Sequence, residues 1–81
     1  MRLDKFLKVS RLIKRRTVAN EACDAERVTV NGKTAKASYE VREGDVIEIR
    51  FGARRVRVEV LEVSGHATKD QAAGMYRELA D

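Results

Sequence analysis

Seven basic side chains crowd the first sixteen residues: Arg2, Lys5, Lys8, Arg11, Lys14, Arg15 and Arg16. One acid, Asp4, opposes them, so this segment carries a net +6. The other 65 residues hold ten basic and twelve acidic groups, a net −2. Positive charge gathered at one end of a chain points to a polyanionic partner, nucleic acid first and an anionic membrane second. Guanidinium forks bind phosphate oxygens in pairs, which suits the arginines of this set to the first of these. The alternative is a solvated face whose cations pair with Asp4, Glu21, Asp24 or Glu26. The slightly acidic remainder makes the cluster stand out against that alternative.

Covalent or metal chemistry finds little to work with. The chain has one cysteine, Cys23, and one histidine, His66. A Cys–His dyad needs the two within hydrogen-bond reach, and nothing in their separation favours that. Zinc needs three or four nitrogen or sulfur ligands and finds two here. Asn31-Gly32-Lys33 lacks the glycine pattern of a phosphate loop. Cys23 reads as a small buried residue and His66 as a loop residue. No catalytic residue, metal or cofactor is expected, and the chain is not expected to be an enzyme.

The basic residues must be positioned by helices. Leu3, Phe6 and Leu7 recur at i, i+3, i+4 and predict a first helix over about 3–9 with one apolar face. At about 100° per residue, Arg2, Lys5 and Lys8 then look away from that face. A second helix is predicted over about 14–25, with Val18, Ala22 and Cys23 inward and Leu12–Ile13 as a buried link before it. It opens on Lys14, Arg15 and Arg16, where cations oppose the helix dipole. An anion bound at that end would relieve the conflict, because backbone N–H groups and arginine forks would both face it. Asp4 is expected to cap the first helix or fix a neighbouring arginine rather than touch phosphate.

The periodicity changes to two after residue 27. Val28-Thr29-Val30, Asn31-Gly32 and Lys33-Thr34-Ala35 predict a tight hairpin, since both turn positions need positive φ. Glu43-Gly44-Asp45 and Gly52-Ala53 read as further turns, with strands at Val46–Phe51 and from Val56 towards Val63. Thr68 and Gln71 fit a capping box, and Ala72, Met75, Tyr76 and Leu79 fall at helical spacing. A helix is therefore predicted from Thr68 onward, though Gly74 costs it about 1 kcal/mol. With 81 residues there is room for one domain. No signal-peptide-like or membrane-spanning stretch is present, and a lone cysteine suits a reducing compartment, so a soluble cytoplasmic protein is expected.

Arg2-Leu3-Asp4-Lys5-Phe6-Leu7, Arg15-Arg16-Thr17, Val28-Thr29-Val30-Asn31-Gly32-Lys33 and Gly44-Asp45, in that order, resemble the S-four RNA-binding domain family. The resemblance implies an α+β fold, with two N-terminal helices packed on a small antiparallel sheet and facing RNA. To this the tail pattern adds a C-terminal helix. Residues 1–64 would form the RNA-binding domain and 65–81 a helical tail packed on it. Arg2 and Arg16 match family positions expected to touch RNA, and Asp4 matches the supporting acid. Thr17 stands where serine is common, keeping the hydroxyl.

The MRLDKFLKVSRLIKRRT and AKASYEV segments, IRFG and the Ala-Ala-Gly-Met-Tyr tail are similar to the ribosome-quality-control branch of that family in bacteria. That branch implies binding to obstructed large ribosomal subunits, with contacts to ribosomal RNA and peptidyl-tRNA. It implies support for alanine tailing by a partner elongation factor. Off the ribosome a monomer is expected. The related heat-shock branch usually carries a long basic C-terminal extension, whereas this sequence closes on Arg77-Glu78-Leu79-Ala80-Asp81. A protein–protein adaptor using the outer sheet face is the competing expectation. An amphipathic helix on an anionic membrane is a weaker one, because the fold needs the Leu3, Phe6 and Leu7 face. With only two Phe and two Tyr, base stacking is not expected to dominate binding.

Overall fold

Leu3, Phe6 and Leu7 are fully buried in the computed structural model, which describes residues 1–80. They form the inner face of α1 (Leu3–Val9). Burying each such side chain contributes about 1.5–3 kcal/mol, enough to hold a two-turn helix that would not survive alone. No side chain caps α1. Its first N–H groups donate instead to the chain ahead of the third strand, Leu3 to the Tyr39 carbonyl at 2.8 Å and Asp4 to that of Ala37 at 3.1 Å. The helix start is thus tied to the segment that leads towards the third strand.

Arg11, at φ 65°, turns the chain out of α1 in a left-handed conformation, and Ile13 plugs the core before α2 (Arg16–Asp24). The second helix is shorter than the 14–25 expected from sequence, because Arg15 is extended and serves as its N-cap residue. Ala19 and Cys23 point inward as an i, i+4 pair. Val18, which the sequence pattern places inward, is instead 46% exposed. It lies about a third of a turn from the line along which Ala19 and Cys23 enter the core.

The sheet has strands β1 (Val28–Val30), β2 (Lys33–Thr34), β3 (Val46–Phe51), β4 (Arg54–Val60) and β5 (Tyr76–Leu79). Their order is β2-β1-β3-β4-β5, every pair antiparallel. Asn31 (φ 53°) and Gly32 (φ 85°) make the two-residue β1–β2 turn with both residues at positive φ, as their types predict. Val28, Val30, Ile47, Ile49, Val58 and Val60 alternate inward and meet the helices in one core. Asp45, also buried, ties the loops together. It accepts from Asn31 Nδ2 (3.1 Å), Tyr39 Oη (3.2 Å) and the Arg42 amide (3.0 Å).

The tail departs from the expected helix after one turn. Thr68 and Gln71 do form a reciprocal capping box at the start of α3 (Lys69–Ala73), which ends at Gly74. Tyr76–Leu79 then runs as β5 along β4, with Tyr76 opposite Val60 and Leu79 opposite Arg57. The apolar spacing of Tyr76 and Leu79 favours a helix, so the strand is not set by local periodicity. The open edge of β4 sets it instead, since pairing there satisfies a row of backbone groups. No helix among the described residues is long and apolar enough to cross a membrane.

Candidate nucleic-acid interface

Asp4 lies in the first turn of α1 with its side chain only 3% exposed, and two arginines from different elements converge on it. Arg2 reaches it from the residue before α1, Nε to Oδ1 at 3.2 Å and Nη2 to Oδ2 at 3.4 Å. Arg16 reaches it from the first residue of α2, Nε to Oδ2 at 3.3 Å. Asn20, one turn further along α2, donates Nδ2 to Oδ2 at 3.3 Å, and the Lys5 amide donates to Oδ1 at 2.8 Å. Burial pushes the Asp4 carboxyl up, but the donors Asn20, Arg16, Arg2 and the Lys5 amide outweigh it and hold it below its ordinary value. The acid is therefore a fixed anion inside a cationic patch.

Both arginine side chains remain about half exposed, Arg2 at 50% and Arg16 at 49%. A guanidinium has five N–H donors, and Asp4 occupies only part of each fork. The rest face solvent with their rotamers held by the buried carboxylate. Arg16 also stands at the N-terminus of α2, where no side chain caps the helix and the first turn holds no acid. Free backbone donors and a preset arginine pair thus face the same side, an arrangement suited to phosphate oxygens.

The other expected contact residues separate into groups. Lys8, Arg11 and Lys14 line a shared groove with Gly65 and His66. Lys5 is exposed on α1, its Nζ directed at Gly65. Arg15 is exposed at the α2 N-cap and joins neither group by a hydrogen bond among the described residues. Two participants escaped the sequence reading. Asn20 could have been found from its i, i+4 spacing to Arg16, which places it beside the same acid. His66 is a loop residue, as its sequence context predicts, and no local pattern places it at the rim of the Lys8 groove.

Cys23 is buried, and burial, then Asp4 and Asp24, push its thiol up to about 11. Such a thiol is a poor nucleophile. It lines a groove with Arg2 and Asn20, while His66 lines the groove beside Lys8. No group of three or more His, Cys, Asp or Glu side chains among the described residues could hold a metal ion.

Residues 1–47, which include both arginines and their acid, match the S4 domain, the S-four module. Over all 81 residues the chain is 53% identical to the RQC P-site tRNA stabilizing factor of Bacillus subtilis (strain 168), covering 94% of that protein. It is 57% identical over 76 residues to the factor of the same name from Halalkalibacterium halodurans, covering 94% of this chain and 86% of that one. Among solved structures, trimeric Heat Shock Protein 15 of Vibrio cholerae superposes with a TM-score of 0.91 at 32% identity, over 99% of this chain and 82% of that one.

Proposed function

The chain belongs to the S4 domain family, and from that premise we propose that it is a ribosome-associated RNA-binding factor that steadies tRNA on large subunits during ribosome quality control. The observation that carries this is the Arg2–Asp4–Arg16 constellation. One buried carboxylate presets two half-exposed arginine side chains beside an uncapped helix start. Binding in this mode needs no catalytic group. The curated relatives bear the name of a stabilizing factor rather than of an enzyme.

The mechanism is positional. A-form RNA hides its base edges in a deep major groove, so recognition rests on phosphates, shape and 2′-hydroxyl groups. Arg2 and Arg16 would take phosphates of one ribosomal RNA element, with Arg15 next to Arg16 at the α2 N-cap. Lys8, Arg11 and Lys14, with Lys5 directed to the same groove, would face a second strand, that of the peptidyl-tRNA. Holding both restricts the tRNA while a tail-adding elongation factor extends the obstructed chain with alanine. The protein would act in the cytoplasm, joining the subunit as a monomer. The relatives that match at 53–57% identity support this role over that of the heat-shock protein, which matches at 32%.

Sucrose-gradient sedimentation of lysates under translational stress tests the proposal. The protein should migrate with large subunits bearing tRNA, and Arg16→Ala should return it to the light fractions. Wild-type protein that stays wholly in the light fractions sinks the proposal.

A further inference from the structure

The outer face of the sheet, turned away from both helices, carries a row of arginines that the helical site does not use. Val28 pairs with Ile49 and Ile49 with Val56, all on the core side. One position along each strand, Arg27, Arg50 and Arg55 therefore line up on the opposite face. Arg50 and Arg55 are direct cross-strand partners. The Arg50 amide donates to the Arg27 carbonyl at 2.9 Å, which carries the β1 ladder out to that residue. With strands about 4.8 Å apart, three guanidinium groups spring from a line about 10 Å long.

Like charges placed directly opposite one another weaken a strand pair. Nothing here compensates in full. Arg55 pairs with Glu48 at 3.2 Å, while Arg27 and Arg50 have no acidic partner among the described residues. All three arginines are exposed. Further along the same face Glu48 is paired with Arg55 and Glu59 with Arg77, and Arg57 lies opposite Glu48. A row of cations this narrow fits a single nucleic-acid backbone.

We propose that Arg27, Arg50 and Arg55 form a second phosphate-binding surface, which grips the backbone of an RNA helix on the side of the protein opposite the Arg2–Arg16 site. This rests on the RNA-binding role of the helical face and deepens it. A further RNA element would be held across the thickness of the sheet from the strands on the helical face.

The test uses the full chain and a fluorescent 20-base-pair RNA duplex, read by anisotropy and by binding stoichiometry at low salt. Wild type should take two duplexes. The Arg27→Gln/Arg50→Gln double variant should take one, with total affinity reduced about fivefold or more and a log K against log[salt] slope shallower by about one to two units. Its melting temperature should equal or exceed that of wild type, because a repulsion has been removed, and Arg50→Lys should retain both sites. If the double variant matches wild type while Arg16→Ala weakens binding, the row is not an RNA site and the helical site stands. If Arg16→Ala is silent while the double variant weakens, the helical site fails and the row stands. Loss of subunit binding with duplex binding intact would mean that the row meets a protein, and would overturn the proposal.

Discussion

Arg16 Nε lies 3.3 Å from Asp4 Oδ2, which joins the first turn of α2 to the first turn of α1. The contact is more than a charge pair between helices. Because Arg2 uses the same carboxylate, one buried acid sets the orientation of two arginines that are 14 positions apart in sequence.

Replacing that acid separates orientation from charge. Asp4→Asn raises the net charge by one and should tighten RNA binding if total charge alone governed affinity. The expected outcome is the reverse, weaker binding, because Arg2 and Arg16 lose the group that aims them. Loss of the charge-assisted bonds should also cost about 1–3 kcal/mol of stability. Anisotropy titration and urea unfolding of the same variant check both.

The acid also predicts a pH dependence. Its carboxyl lies below the ordinary value of 3.8 in the folded protein. Its contribution to stability is therefore full above the unfolded value and disappears as pH falls through the folded one. Between pH 5 and pH 2, roughly, wild type should lose more stability than Asp4→Asn, and the two melting curves should converge. Parallel curves over that range would contradict the assignment.

Asp45 should be the most sensitive polar residue away from the interface. Asp45→Ala leaves Asn31 Nδ2, Tyr39 Oη and the Arg42 amide without their acceptor. Each donor left short costs about 1–3 kcal/mol if it stays dry. Chemical denaturation should show a loss larger than that of Asp4→Asn. In RNA titrations under native conditions, the folded fraction should still bind.

Cys23 should be silent to alkylation in the native state. With the thiol buried and pushed up to about 11, thiolate is scarce at pH 8. Iodoacetamide should label it only in denaturant. Rapid labelling of folded protein would contradict its placement.

What could be read from sequence was whatever short-range chemistry decides. Leu3, Phe6 and Leu7 define α1 by spacing alone, Asn31-Gly32 defines a turn by its backbone demands, and Thr68 with Gln71 defines the start of α3. What could not be read depends on partners distant in the chain. Tyr76–Leu79 becomes a strand because β4 offers an edge. Val18 is left outside because α2 turns the face of Ala19 and Cys23 to the core. At the interface, the basic residues were visible as a cluster by composition. Their division between the Asp4 pair and the groove beside His66 is set by how α1 meets α2 and by where the loop before α3 passes.

The salt dependence of binding to purified large subunits tests the central claim most directly. If about six phosphates are neutralised, wild-type affinity should fall roughly a thousandfold between about 50 and 200 mM salt on the duplex rule. Arg2→Ala/Arg16→Ala should bind more weakly at low salt, with a slope shallower by between about one and two units. An unchanged slope and affinity in that double variant would show that the arginines around Asp4 do not meet RNA.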